Sequence, residues 1–258
     1  MDELERIALA AYRPVYGPDA IDVAGATCLR APYAPDSPML NRVVGLGVDR
    51  PVAEAELDEA LGTMDDSTFY VGVSPSSDPA LDRLLEARGL EEGWGWMLFE
   101  RAPLPVPAVR TPLALGEVTN DDADEWAAVV TAGYGLPEES ATRLAAAPGS
   151  GGWTAFLARD GDEPAAAAAV WVDPPAAYFG FAATLPEHRG KGAQGALFAA
   201  RIERALALGC TTLVTETGEL RDGSPSSSYR NILRFGFEPR HVVANRLHRR
   251  PGPGESRG

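Results

Sequence analysis

Between Leu185 and Leu197 the sequence reads LPEHRGKGAQGAL, and it sets bare backbone beside positive charge. Gly190, Gly192 and Gly195 let the chain turn tightly and let a ligand come close. Arg189 and Lys191 add cations, and Leu197, Ala200, Ile202 and Leu206 follow at the spacing of a buried helix face. A helix start presents unpaired N–H groups and the positive end of the helix dipole, so this pattern is suited to cradling phosphate. No G-x-x-x-x-G-K-[ST] run is present. Gly190-x-Gly192-x-x-Gly195 meets the bare spacing of a dinucleotide turn, but the surrounding element order is not that of the dinucleotide unit. A dinucleotide oxidoreductase would be marked by NAD(P) binding.

The elements that must position this turn follow from the pattern around it. The window Arg101–Leu115 holds four prolines, which stiffen the chain and stop helices. It separates a first domain, 1–102, from a second, 110–248, through a linker at 103–109, and the Pro/Gly-rich tail 249–258 is expected to be disordered. In the second domain, DDADEWAAVVTAGYGL and ESATRLAAA read as helices, with Asp121 or Asp122 as N-cap. WTAFLARDGDEPAAAAAVWVD reads as a hairpin turning at Asp160-Gly161-Asp162. AYFGFAATL is a strand, then come the glycine-rich turn and its helix, and TTLVTET is a strand rich in β-branched residues. SSSYRNILRFGF is a helix capped by Ser226 or Ser227 and ended by Gly236, and HVVANRLHR is the last strand. The order α-α-β-β-β-α-β-α-β predicts a mixed α/β layer architecture. The first domain repeats part of it: VSPSSDPALDRLLEARGLEEGWGWMLFER parallels GSPSSSYRNILRFGFEPRHVVANRLHR.

The glycine-rich turn resembles the acyl-CoA-binding loop of the GNAT superfamily of N-acyltransferases, [RQ]-x-x-G-x-[GA], through Arg189 and Gly192, with Gln194 at the last position and Gly195 one step later. SYRNILRFGF resembles the family's final helix. The resemblance spans residues 110–248 and implies a GNAT fold: a mixed central sheet flanked by helices, here in tandem with a smaller, degenerate GNAT-like first half. It implies that strand 177–185 splays from TTLVTET. The pantetheine arm of acetyl-CoA then lies against the backbone of Ala183, Thr184 and Leu185, and its pyrophosphate on Arg189, Gly190, Lys191, Gly192, Ala193, Gln194 and Gly195. It implies Glu216 as the base that takes the amine proton. The family's tyrosine, the acid for the leaving thiolate, falls at Ile232, so Tyr229, one turn earlier, stands in for it. The family's pantetheine-contacting asparagine falls at Pro225, with Asn231 nearby. The activity implied is acetyl transfer from acetyl-CoA to a primary amine. A non-catalytic acyl-CoA-binding or regulatory module is the alternative, motivated by the missing tyrosine. In the first half, Asp49, Pro51, Glu54 and Glu56 stand where the cradle belongs and would repel phosphate.

Composition excludes other classes. A net charge of −14 leaves no broad basic surface for nucleic acid and favours cationic small molecules. The three histidines, His188, His241 and His248, have no metal-ligand spacing, so no metal is expected. Cys28 and Cys210, far apart, suit reduced thiols. The acidic start is not a secretory signal, and no apolar run is long enough for a membrane span. A soluble cytoplasmic protein is expected, with acetyl-CoA and an amine as partners and a homodimer left open.

Overall fold

The computed structural model describes residues 1–250 apart from Asp65 and Asp222; of the tail 249–258 expected to be disordered, Arg249 bonds Glu91 and Arg250 bonds Thr68, and the residues from Pro251 on lie outside the described residues. In chain order the elements are α1 (Glu3–Tyr16), β1 (Ala20–Val23), β2 (Ala26–Leu29), β3 (Arg42–Val44), α2 (Glu54–Thr63), β4 (Phe69–Val73), α3 (Leu81–Ala87), β5 (Glu91–Glu92) and β6 (Trp96–Arg101). There follow β7 (Ala114–Glu117), α4 (Ala123–Tyr134), α5 (Ser140–Leu144), β8 (Trp153–Asp160), β9 (Glu163–Asp173), β10 (Ala176–Thr184), α6 (Ala193–Ala207), β11 (Thr212–Gly218), α7 (Ser227–Arg234) and β12 (Glu238–His248). Residues 110–248 thus carry the expected order with one strand, β7, added in front. All four β7 residues are exposed, so no apolar period marks the strand, and its antiparallel ladder with β8 holds it.

Strand pairing bears out the repeat. β1, β2 and β3 pair antiparallel in turn and β3 runs parallel to β4. β8, β9 and β10 do the same, and β10 runs parallel to β11. A helix follows the third strand each time, α2 or α6, and another follows the fourth, α3 or α7.

The chain forms two compact units, neither contiguous in sequence. One comprises Met1–Glu3, Tyr16–Trp96 and the residues from His241 on; the other comprises Leu4–Val15 and Met97–Arg240. Each half therefore gives its last strand to the other half's unit: β6 from Met97 on lies in the second, and β12 from His241 on pairs with β4 in the first. The first unit's core gathers Val43, Leu46, Leu57, Phe69, Val71 and Leu85.

In the second unit, β9 is buried along almost its whole length, and its alanine run Ala165–Ala169 explains how. Small side chains on both faces let α4 and α6 each pack on it. On one side Trp126 of α4 donates its indole N–H to the Ala168 carbonyl at 3.2 Å. The core cluster that α6 joins includes Phe179, Leu197, Phe198, Ile202, Leu213 and Phe237. α1 is tied into the same unit by the Trp153 indole, which donates to the Ala11 carbonyl at 2.7 Å.

The proline-rich segment after β6 is strapped down. The Arg101 guanidinium, 2% exposed, donates to the carbonyls of Phe235 (2.7 Å), Ala102 (3.0 Å), Leu104 (2.7 Å) and Pro105 (2.9 Å). Replacing Arg101 by Met keeps the apolar stem but strands these carbonyls. We expect Arg101→Met to lower unfolding stability by about 3 kcal/mol, read from the urea midpoint; an unchanged midpoint would show that the strap is dispensable.

Candidate active site

The site starts where a ladder stops. β10 and β11 pair in parallel only through Ala176–Phe179 against Thr212–Thr215, although β10 continues to Thr184 and β11 to Gly218. The Thr215 hydroxyl donates to the Phe179 carbonyl at 3.0 Å and closes the apex. Beyond it β10 carries a bulge: its register with β9 shifts between Gly180 and Ala183. Phe181, inside the bulge, has φ +53°, a left-handed conformation that a bulky residue adopts only where the surroundings hold it. Its ring is held by Trp153 (centroids 4.9 Å apart), Trp126 (5.7 Å) and Tyr12 (6.1 Å). The expected splay is therefore present, with Ala183, Thr184 and Glu216 past the apex. Ala183 and Thr184 remain paired to β9, and the Leu185 N–H donates to the Ala165 carbonyl at 3.0 Å.

Behind the fork lies a charge that the sequence analysis passed over. Arg201 of α6 is 1% exposed. Its Nη1 lies 3.4 Å from the carbonyls of Ala169 and Gly180, which face each other across β9 and β10 just before the bulge, and its Nε donates to the Leu197 carbonyl at 3.0 Å. The guanidinium lies over the rings of Phe198 (4.6 Å) and Phe179 (5.3 Å). Its Nη2 is buried without a hydrogen-bond partner among the described residues. Burial pushes its pKa down to about 9, which still leaves a cation at neutral pH.

The glycine-rich turn has the expected geometry. Gly190 (φ +79°) and Gly192 (φ +81°) are left-handed, and Gly192 is the N-cap of α6. Ala193, Gln194 and Gly195 form the first turn, whose N–H groups have no carbonyl four residues back within the helix. Gly192 also has a reason internal to the fold: a Cβ there would stand 2.6 Å from the Arg110 carbonyl oxygen. The Thr111 hydroxyl donates to the Lys191 carbonyl at 2.8 Å, so the segment ahead of β7 lies along the turn. Gln194 reaches back to β10, donating to the Thr184 hydroxyl at 2.8 Å. The Lys191 ammonium binds Asp160, which also faces His188 Nδ1 at 3.1 Å. Lys191 first, then His188, hold the Asp160 carboxyl below its usual range. Arg189 and Arg110 are exposed, and neither has a carboxylate partner among the described residues.

The remaining expected residues lie on α7. Ser226 caps it, accepting from the Tyr229 N–H at 3.1 Å. Tyr229 is 6% exposed, a member of the core cluster with Ile232, and its ring stands edge-on to Phe99 with centroids 4.9 Å apart. Asn231 is half-buried beside it. A different tyrosine ends the helix that packs on β10. Tyr134 is the last residue of α4, and desolvation pushes its phenol up to about 12. Nothing local in AGYGL marks it. Its position depends on α4 crossing β10 at the bulge. Among the described residues no group of three or more His, Cys, Asp or Glu gathers as a metal site, and no helix is long and apolar enough to cross a membrane.

Comparison with known proteins agrees with this geometry. Residues 118–226 match the model of the acetyltransferase (GNAT) family. None of the curated proteins matches the chain. Among solved structures, a GCN5-related N-acetyltransferase from Kribbella flavida is 23% identical, with 98% of this chain and 97% of that one covered at a TM-score of 0.65. A GCN5-related N-acetyltransferase from Sphaerobacter thermophilus is 17% identical over 96% of this chain and 92% of that one, also at 0.65. A tandem GNAT protein from the clavulanic acid biosynthesis pathway is 20% identical over 90% and 80%, at 0.62. At these identities the likeness shows the fold. Residues 118–226 are therefore a domain of the GNAT acetyltransferase family, set in a mixed α/β chain with the fold of tandem GNAT proteins.

Proposed function

We propose that the protein is a soluble, cytoplasmic N-acetyltransferase that moves an acetyl group from acetyl-CoA to a primary amine, with residues 110–248 as its catalytic domain. The observation that supports this reading best is the fork: a parallel pair that parts after Phe179 and Thr215, beside a helix start flanked by Arg189 and Arg110. An extended pantetheine arm adds to the β11 side of β10 as a strand would, along Ala183, Thr184 and Leu185, with Asn231 of α7 as a further contact. The pyrophosphate lies on Gly190, Gly192, Ala193, Gln194 and Gly195 with Arg189 beside it. Lys191, bonded to Asp160, fixes the shape of the turn. Glu216, the first residue past the apex on β11, takes the proton from the attacking amine.

The alternative, a non-catalytic acyl-CoA-binding module, is favoured by one observation: the place of the family's tyrosine is Ile232, and Tyr229 is in the core. Release of CoA thiol above background with spermidine, a peptide N-terminus or an arylalkylamine decides for the enzyme.

Binding to the folded state alone stabilises by RT ln(1 + [L]/Kd), about 2.7 kcal/mol at a hundredfold excess over Kd. Acetyl-CoA should therefore raise Tm while NAD and ATP do not. Gly192 is a poor place to test this, because the fold itself requires it. Gln194→Glu instead adds a carboxylate to the first turn of α6, where the helix dipole tolerates it but a pyrophosphate does not. We expect affinity for acetyl-CoA to fall by at least about tenfold, 1.4 kcal/mol, with the ligand-free Tm kept; an unchanged Kd would remove the cradle from that turn.

Stoichiometry is a second check. The corresponding helix of the first half, α2, opens with Glu54 and Glu56 in its first turn, and Glu56 pairs with Arg50. Titration calorimetry should give one CoA per chain, and a value near two would assign a cradle to the first half as well.

Glu216→Gln tests the base. Without it, turnover depends on amine that is already neutral, so the loss in kcat should be large at pH 7 and recover as pH rises toward the amine's own pKa. A variant that tracks the parent at every pH would make Glu216 a bystander.

A further inference from the structure

We propose that Arg201 is a positioning residue for the transfer: it holds the hinge of β10 from the same helix that carries the glycine-rich turn, and so sets the register of the acetyl thioester against Glu216. This rests on the acetyl-transfer reading above and assigns a role in it to a side chain outside the cradle and the fork.

The first support is where the guanidinium sits. Gly180 is the first residue of β10 beyond its last pair with β11, Phe179 against Thr215. It is also the last residue before the register with β9 shifts. Gly180 is therefore the hinge between the zipped part of the strand and the splayed part. Side chains meet two consecutive carbonyls there. The Thr215 hydroxyl donates to that of Phe179 at 3.0 Å, and Arg201 Nη1 lies 3.4 Å from that of Gly180 and from that of its partner Ala169. One nitrogen thus spans both strands where the bulge begins. The guanidinium is itself fixed, through Nε by the Leu197 carbonyl and across its plane by the rings of Phe198 and Phe179.

The second support is what α6 joins. Gln194, in its first turn, donates to the Thr184 hydroxyl at 2.8 Å. The splayed segment of β10, from Gly180 to Thr184, is tied at both ends to one helix, through side chains about two turns apart. A CoA whose pyrophosphate rests on the first turn and whose arm follows that segment has a fixed length between phosphate and sulfur. It brings its carbonyl carbon to Glu216, past the apex on β11, only while α6 and β10 keep their relative register.

The third support is the kind of residue. Arg201 is almost wholly buried, no carboxylate pairs with it among the described residues, and its Nη2 has no partner there. A cation buried in this way is a poor means of gaining stability, because an apolar side chain of similar volume fills the space without the desolvation cost. What the guanidinium supplies that such a residue cannot is a hold on two carbonyls.

The test uses the full-length protein and whichever of spermidine, a peptide N-terminus or an arylalkylamine is turned over best, well below the Tm of every variant. Arg201→Met keeps the apolar stem and removes both donors and charge. Arg201→Lys keeps the charge, but its ammonium stands one bond short of Nη1 and presents no planar fork. We expect each to lower kcat by about tenfold or more, as a misplaced reacting group does, while the Kd for acetyl-CoA, from calorimetry without the amine, changes less than about twofold. A side chain that served stability alone would lower Tm and leave kcat of the folded protein in place. Hydrogen exchange of the ligand-free protein is the readout independent of turnover: amides of Phe181–Thr184 should exchange faster in both variants, and those of β7 should not. The proposal is overturned by kcat within about twofold of the parent in either variant, since a parent-like Arg201→Lys would mean that charge alone suffices. It is also overturned by a Kd that weakens as much as kcat falls, or by unchanged exchange in β10. Should Arg201→Met not fold, Arg201→Lys decides by the same criteria. If the parent binds acetyl-CoA but turns over none of the amines, the enzymatic reading fails first and this proposal falls with it. If the parent turns over and the variants match it, the reading stands and Arg201 alone is excluded.

Discussion

The second unit is organised around the point at which β11 stops pairing with β10. A parallel ladder satisfies the backbone on both strands, and ending it early inside a buried sheet leaves polar groups that need other partners. The bulge at Phe181 is what ends it. An extra residue bends the strand and strengthens its twist, and here that residue is a phenylalanine held at positive φ. Such a conformation costs about 1–3 kcal/mol, offset by burying the ring against Trp153, Trp126 and Tyr12. The aromatic cluster on that face therefore has a mechanical role. It holds the strand bent, so that β10 beyond Phe179 presents backbone to the fork on one edge while Ala183 and Thr184 stay paired to β9 on the other.

The same bend explains a cation buried among carbonyls with no carboxylate beside it. Where the bulge begins, Arg201 bridges the carbonyl of Gly180 on β10 and that of its partner Ala169 on β9. A lysine would present one point charge there, whereas the guanidinium is a planar fork that also stacks on Phe198 and Phe179. α6 thus serves the fork at both ends. Its first turn, capped by Gly192, offers N–H groups and dipole, and two turns later Arg201 holds the carbonyls at the start of the bulge. In a site where solvent is partly excluded, a fixed charge of this kind acts more strongly than it would in water.

What was legible in the sequence is what local geometry demands. Gly190 and Gly192 require left-handed backbone, Ser226 caps a helix, Gly161 turns a hairpin and Gly236 ends α7, and each of these is written in one residue and its immediate neighbours. The β-branched and alternating strands were readable for the same reason. The setting of Tyr134 was not, because it comes from Gly133 allowing α4 to lie against Ala183 of β10, which is a tertiary fact. Tyr229 was placed near the chemistry by counting back along a helix, and that count carries no information about which face meets Phe99. Nothing in AARIERAL tells a buried cation such as Arg201 from a solvated one. β7 was missed because an edge strand with four exposed residues has no hydrophobic period to see.

The proline-rich window marks where the sequence stops repeating itself, but it does not mark where one compact unit ends in space. β6 lies before it and yet belongs, from Met97, with the second unit, and so does most of α1, which begins the chain. The exchange has a physical consequence for the degenerate first half. That half keeps the pairing pattern of its sibling, including a parallel β3–β4 pair, while its second helix opens on acidic residues unsuited to phosphate. Its last strand nonetheless ends in Arg101, whose guanidinium holds the Phe235 carbonyl at the end of α7 and ties down the segment that runs on toward the Arg110 carbonyl beside Gly192. The first half thus contributes to the second unit through covalent continuity and one buried cation, so the segment leading to the glycine-rich turn of one repeat is held by the final residue of a strand belonging to the other.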